Sequence, residues 1–227
     1  MITSPDNTKL KQIRKLRNRR DREKLGRFVA EGEDLLAAAS NSGWSPVESL
    51  VAGVDLSSEL LESVSELASG TRALGVFETR WASVRGPLCV YLHGVGDPGN
   101  VGTILRSAEA FGASCVALGP GCADPFGPKS VRASMGAIFT VPVARAGVES
   151  LPGVKIALDA GGSMFLRVGI TTSRDISVVL GSEREGLPRE VIEKCDHVAR
   201  IPIKNHSLNV AMAATVALYE LSSRAHD

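Results

Sequence analysis

The sequence predicts an α/β protein of two units, a small amino-terminal one followed by a larger parallel-sheet domain, and three observations carry that expectation. From residue 87 onward, short apolar runs of strand type, such as LCVYL at 88–92 and SVVL at 177–180, alternate with stretches of helical spacing. That alternation is the pattern of a parallel sheet with helices on both faces. A Gly86-Pro87 break separates this half from a shorter α/β pattern before it. Finally, 227 residues, 44% hydrophobic and 22% charged, supply enough apolar side chain for one large core or two small ones.

The amino-terminal unit begins with charge. Residues 9–27 carry ten basic side chains, among them Arg14, Lys15, Arg17, Arg19, Arg20 and Arg22, against Asp21 and Glu23. The segment is therefore +8 in a chain whose remainder sums to −7. A basic segment on a mildly acidic body points to a polyanion as partner. Leu10, Ile13, Leu16 and Leu25 recur at near-helical spacing among the charges, so the segment reads as one helix with a docked face rather than a tail. A strand at 28–30, a helix at 33–40 and a strand from Pro46 through 50–52 follow. Next come a helix at 57–68 capped by Ser57, a Gly70-Thr71 turn and a strand at 73–77. The unit spans 1–80, and 81–86 is a linker.

The second domain, 87–227, continues with a strand at 88–92, a helix at 101–111, a strand at 114–118 and a helix at 129–135. Strands at 139–143, 154–158 and 177–180, a helix at 188–194 and a last strand at 198–203 follow. An apolar helix, 210–221, closes the pattern and is expected to be buried on most faces. No run of about 18 apolar residues exists, so no membrane span is expected, and the first residues lack the apolar core of a secretory signal. Cys89, Cys115, Cys122 and Cys195 are scattered without a C-x-x-C pair and read as small core residues of a reducing compartment. The expected location is the cytoplasm, and no metal-ligand cluster is visible.

Gly94-Val95-Gly96-Asp97-Pro98-Gly99 has the form G-x-G-x-x-G between a strand and a helix. A dinucleotide site also needs an acidic residue about 20 positions on, at the end of the second strand. Here that strand ends in Leu118-Gly119-Pro120, and Pro98 removes one backbone donor from any phosphate cradle. The glycines therefore read as a tight turn leading the next helix.

More informative are three strand-to-helix mouths, the place where open α/β sheets put their ligands. The first carries Asn100 and, further along the same helix, Arg106. An arginine in an otherwise apolar helix needs an anion when covered, as a structural ion pair or as a bound group. The second runs from an apolar strand through Gly181, which would let a bulky group approach the backbone, to Glu183. The third follows Ile201-Pro202-Ile203 with Ser207, Leu208 and Asn209 at a helix start.

DPGNVGTILRSAEAFG at 97–112, LGSEREGLP at 180–188 and the IP…SLNVAMAAT stretch at 201–215 together resemble the three motifs of the SpoU/TrmH family. PKSVRASMGA at 128–137 resembles the family in the same order. These are SPOUT-class, S-adenosylmethionine-dependent RNA ribose 2′-O-methyltransferases, and the likeness covers essentially all of 87–224. The basic helix followed by FVAEGEDLL at 28–36 resembles the ribosomal-protein-L30e-like substrate-binding domain often fused to them. One departure stands out: the loop between Ile201-Pro202 and Ser207 is shorter than in many relatives and lacks their usual glycine.

The resemblance implies a carboxy-terminal trefoil knot, S-adenosyl-L-methionine as methyl donor without a metal, and a homodimer formed through the knotted domain. It implies that Gly181, Ile201 and Leu208 contact the cofactor and that Asn100, Arg106, Glu183, Ser207 and Asn209 form the catalytic set. RNA would be held by Arg14, Lys15, Arg17, Arg19, Arg20, Arg22 and Arg132, and the two-domain layout favours large-subunit ribosomal RNA over tRNA. A tRNA methyltransferase and a non-catalytic RNA-binding protein are the alternatives. Aromatic residues are 4% of the chain and only Phe28 lies near the basic segment, so recognition by phosphate and shape is expected rather than a base-stacking platform. A ribose 2′-hydroxyl is protonated at neutral pH, and arginine does not deprotonate in proteins. Arg106 is therefore expected to pin a phosphate and stabilise the developing alkoxide, with Glu183 and Asn100 orienting the hydroxyl.

Overall fold

A computed structural model describes residues 1–66, 70–166, 175–204 and 208–222. The basic segment is two helices rather than one, α1 (Thr8–Lys15) and α2 (Arg19–Leu25). The first closes at Leu16 and Asn18 caps the second, its side chain accepting from the Arg20 amide, because a short amide side chain serves a helix start better than an interior. α2 stops at Gly26, whose φ of 61° favours glycine.

Strands β1 (Arg27–Glu31), β2 (Glu48–Val51) and β3 (Ala73–Glu78) form an antiparallel sheet of order β1-β3-β2, joined by α3 (Glu33–Asn41) and α4 (Ser58–Glu62). α4 is shorter than the expected 57–68 helix, though Ser57 does cap it. Leu10, Ile13 and Leu16 pack on one sheet face with Val29, Leu50, Leu61, Leu74 and Val76. Leu25, expected on that face, is 44% exposed, because the break at Asn18 turns α2 away.

The other sheet face belongs to both units. Phe28 and Phe77 meet Phe126 and Phe139 of the second domain at ring-centroid distances of 5.0 and 5.1 Å. Trp44 Nε1 donates to the Phe139 carbonyl at 2.8 Å. The amino-terminal unit therefore has one core of its own and shares a second with its neighbour.

The second domain is built on β4 (Leu88–Leu92), β5 (Cys115–Leu118), β6 (Val143–Arg145), β7 (Val154–Leu158), β8 (Met164–Phe165), β9 (Ile176–Leu180) and β10 (His197–Arg200). Their order is β6-β5-β4-β9-β7-β10-β8 and every pairing is parallel. β4 is buried along its whole length, as a strand covered on both faces must be. α5 (Pro98–Ala110), α6 (Pro128–Ser134) and α8 (Val210–Ser222) cover one face; α7 (Arg189–Ile192) lies on the other. α5 and α6 cross so closely that a Cβ at Gly102 would lie 2.4 Å from the Ser130 carbonyl oxygen. Cys89 and Cys115 are buried neighbours on β4 and β5. Among the described residues no helix is long and apolar enough to cross a membrane.

Three expectations shift. The strand placed at 139–143 is a 3-10 turn at Ala137–Phe139 followed by β6, since Pro142 cannot donate to a ladder. The last strand ends at Arg200, before Pro202, and β8 was not expected. α8 leaves a stripe exposed, Met212 at 59%, Val216 at 37% and Tyr219 at 59%, spaced along one helix face. After β10 the chain returns across the sheet to set α8 against α5, β4 and β9.

Candidate active site

In a parallel sheet all strands end on the same edge, so the three mouths converge. Asp97 caps α5, its carboxylate accepting from the Gly99 and Asn100 amides at 2.6 and 3.3 Å. Those amides are the ones a phosphate cradle would need, which agrees with reading the glycine run as a turn. A hydrogen bond from Lys129 holds the Asp97 carboxyl below its ordinary value, with the two amides adding to it. This cap presents Asn100 in the first turn of α5.

At the end of β9 the chain turns back through paired backbone bonds between Ser182 and Gly186, both 3.1 Å. A Cβ on Gly181 would fall 2.2 Å from the Gly186 carbonyl carbon. The missing side chain at Gly181 makes room for the chain's own turn, and that turn projects Glu183 toward α5. Asn209 begins α8, its Oδ1 accepting from the Ala211 amide at 2.9 Å and the Met212 amide at 3.3 Å.

These side chains join in one hydrogen-bonded row. Asn209 Nδ2 donates to Asn100 Oδ1 at 3.2 Å, and Asn100 Nδ2 donates to Glu183 Oε1 at 2.5 Å. Three mouths separated by 83 and 109 residues therefore meet at Asn100. The carboxylate at the end of the row makes its bond charge-assisted, the stronger kind. Arg106 lies further along α5, exposed, and among the described residues no hydrogen bond or ion pair holds its guanidinium. Its neighbour Ser107 ties α5 to α8 through Thr215 at 2.7 Å. Ser207 lies outside the described residues.

Beside this row is a cavity of about 300 Å³. Leu158, Leu180, Ile201, Ile203, Leu208 and Val210 give it apolar walls, and Gly181 contributes backbone. Glu183, Glu185 and Asp159 add three carboxylates to its lining, and Arg184 adds one guanidinium. The residues expected to contact a cofactor, Gly181, Ile201 and Leu208, are thus together, and Glu183 belongs to both cavity and row. Sequence reasoning passed over Asp159, although its position just past β7 follows the same strand-end rule that selected Glu183. The volume and the mix of apolar wall with few polar groups suit a small-molecule ligand. Among the described residues no group of three or more His, Cys, Asp or Glu side chains is placed to hold a metal ion.

The basic residues divide. Lys15, Arg17, Arg19, Arg20 and Arg132 are exposed, while Arg14 is half-buried and bonded to the Pro5 carbonyl and Ser63. Arg17 pairs with Glu66 at 2.6 Å. Arg22 leaves the expected RNA-contacting set. It is 5% exposed, paired with Asp124 of the second domain at 2.7 Å, and donates to the Leu16 and Arg17 carbonyls. A guanidinium so enclosed secures the domain junction and has no face left for a phosphate.

The SpoU rRNA Methylase family matches residues 87–219, and an MRM3-like substrate binding domain matches residues 7–84. The 23S rRNA (guanosine(2553)-2′-O)-methyltransferase RlmP of Bacillus subtilis is 32% identical over 97% of this chain and 98% of its own. The 23S rRNA (uridine(2479)-2′-O)-methyltransferase of Streptomyces viridochromogenes is 37% identical over 54% of this chain and 48% of its own. An AdoMet-bound rRNA methyltransferase from Sinorhizobium meliloti superposes with a TM-score of 0.89 at 30% identity, covering 99% of this chain and 97% of that one.

Proposed function

Because this chain belongs to the SpoU rRNA methylase family, it is a methyltransferase, and we propose that it methylates a ribose 2′-hydroxyl of 23S ribosomal RNA at the Asn209–Asn100–Glu183 row. The observation that carries the reading is that row, set beside an apolar cavity with carboxylates in its lining. Apolar walls suit an adenine ring and carboxylates suit a sulfonium cation, so the residues fit S-adenosylmethionine. Ile201, Leu208 and the backbone of Gly181 would hold it, and it supplies an electrophilic methyl group.

The chain's own residues then position the nucleophile. Arg106, whose guanidinium meets no anion among the described residues, pins a substrate phosphate and offsets charge developing on the 2′ oxygen. Glu183, oriented by Asn100, accepts the hydrogen bond of the 2′-hydroxyl and so fixes the direction of its lone pairs. Asn209 fixes Asn100 while capping α8, which ties the geometry of the site to the seating of that helix. Apolar side chains on the cavity side keep water from the hydroxyl's place. Ser207 completes this set by its motif position.

Two further elements belong to the proposal. The path from β10 back to α5 is the path of a carboxy-terminal trefoil knot, and the stripe of Met212, Val216 and Tyr219 is the contact of a homodimer formed through α8. Equilibrium sedimentation is expected to find a dimer, and Met212→Lys with Val216→Lys to shift it to monomer. A wild-type monomer would remove the dimer from the reading.

Labelled methyl transfer to separate pools of ribosomal RNA and tRNA tests the activity. The expected result is label in 23S RNA at one alkali-resistant linkage. Label in tRNA alone would replace the substrate assignment with the tRNA reading, and no transfer with retained RNA binding would favour a non-catalytic protein.

A further inference from the structure

A second cleft lies away from the reaction site, at the junction of the two domains. It measures about 450 Å³ and is walled by Arg19 and Glu23 of α2, Trp81, the 118–123 segment after β5, and Arg145 at the end of β6. No residue of the reaction site lines it.

Its chemistry is that of a stacking platform with cations. The Arg145 guanidinium lies 4.2 Å from the centroid of the Trp81 ring, and Trp81 rests edge-on against Phe126 at 5.1 Å. Glu23 Oε1 accepts from Arg145 Nη2 at 2.9 Å and from Arg19 Nε at 3.3 Å, fixing two arginines from different domains relative to each other. Both arginine side chains remain 54% exposed, so the pairing orders them without using them up. Hydrogen bonds from Arg19 and Arg145 keep the Glu23 carboxyl below its ordinary value. The cleft therefore carries two cations against one anion beside an indole.

Its position ties it to the reaction. The 118–123 segment packs against the loop that leads to α5: Gly94 N donates to the Pro120 carbonyl at 2.9 Å, and a Cβ on Gly121 would lie 3.2 Å from Gly94 Cα. The cleft and the mouth that presents Asn100 are thus the two sides of one wall. Neighbouring strands are about 5 Å apart, which puts a cleft over β5 and β6 on the order of 5–10 Å from the mouth of β4. That is the scale of a neighbouring nucleotide. The exposed basic side of α2 continues from its rim.

We propose that this cleft receives a nucleotide of the substrate RNA close to the one methylated, its base stacked on the Arg145–Trp81 platform and its phosphate held by Arg19. Bases out of a helix stack on aromatic rings and on guanidinium planes alike, and flanking cations track the backbone. Because the platform joins residues of both domains, it also reads whether the RNA spans them. The assignment rests on the ribosomal-RNA reading above.

The chain contains two tryptophans, so Trp44→Phe leaves Trp81 as the sole reporter. Titrating that full-length variant with a 23S RNA fragment bearing the mapped methylation position is expected to quench Trp81 fluorescence. Arg145→Gln is expected to weaken binding of the fragment, and raise its KM, on the order of tenfold, with kcat changed less than about twofold. S-adenosylmethionine affinity and Tm should stay at the parent values. Trp81→Phe, which keeps an aromatic ring against Phe126, should weaken RNA binding by a smaller factor. Unchanged RNA affinity in Arg145→Gln, or Trp81 emission that RNA leaves untouched, would overturn the proposal. So would saturation by adenosine monophosphate at lower concentration than by the fragment, which would mark a free-nucleotide pocket. Failure of the underlying reading looks different: the unsubstituted protein would then transfer no methyl group to 23S RNA.

Discussion

Arg22 and Arg106 were both expected to meet the substrate, and the structure separates them. Arg22 sits in a run of ten basic residues and reads as one more phosphate contact, yet it is 5% exposed and ion-paired across the domain junction. Arg106 sits in an otherwise apolar helix, where a structural ion pair and a bound anion were both open readings; it is exposed and, among the described residues, unpaired. The difference teaches that charge density along the chain says little about what faces a side chain in space. Asp124, about a hundred residues away, decides the fate of Arg22. A cation without an anion among the described residues, on the helix that carries a converging polar row, is the better marker of a ligand site.

Breaking Arg22 should have the largest effect. Arg22→Met leaves Asp124, 9% exposed, as a buried carboxylate without its cation. The expected loss is about 3–5 kcal/mol of stability, read by urea unfolding. Adding Asp124→Leu should return much of it, since a buried pair replaced by apolar groups costs little. Arg20→Ala, on the exposed side of α2, should instead leave stability alone and lower the salt dependence of RNA binding by about one phosphate contact. If the two variants behaved alike, the distinction between junction and RNA surface would fail.

Arg106→Ala comes next. Removing a cation that acts only on the reacting group should lower kcat about 10²–10³-fold while S-adenosylmethionine affinity, read by calorimetry, stays near the parent value. Loss of cofactor binding would move Arg106 from substrate to cavity and undo the comparison from its other side.

How much of this was legible follows the same division. The parallel sheet, the two-unit layout and the mouths at Asn100, Glu183 and Asn209 could all be read, because apolar runs, glycine turns and polar residues at strand ends are local signals. The shared core was not, because Phe28, Phe77, Phe126 and Phe139 declare themselves core residues without saying whose core. A truncation at the linker would expose that aromatic face, so point substitutions separate the domains' roles better than deletion. The cleft beside Trp81 was not legible for a related reason: Trp81 lies far along the chain from the basic segment, and only the fold brings it to Arg19 and Arg145. The sequence could not show what stands against the bare Cα of Gly181, because the close neighbour is Gly186 of its own turn.

Asn209→Asp tests the row itself at a smaller scale. Aspartate keeps the acceptor that caps α8 but loses the donor to Asn100. Turnover is expected to fall on the order of tenfold, about the worth of one hydrogen bond, with Tm unchanged. A matching loss of Tm would mean that the residue serves the helix alone.

The smallest effect belongs to Asp97, and it completes the contrast with Arg22. Both sites pair a carboxylate with a cation, but the Asp97 and Lys129 side chains are 49% and 57% exposed. The bond from Lys129 lowers the Asp97 pKa from its ordinary 3.8. A lowered folded-state value gives stability that is present above the ordinary value and lost as pH falls through the folded one. The pair's contribution should therefore be whole above 3.8, fade as pH falls below it and, screened by solvent, amount to less than about 1 kcal/mol. Asp97→Asn keeps the helix cap and removes the charge, so its stability should equal the parent's in acid and fall slightly below it at neutral pH. A deficit near that of Arg22→Met would mean that burial is not what separates the two pairs.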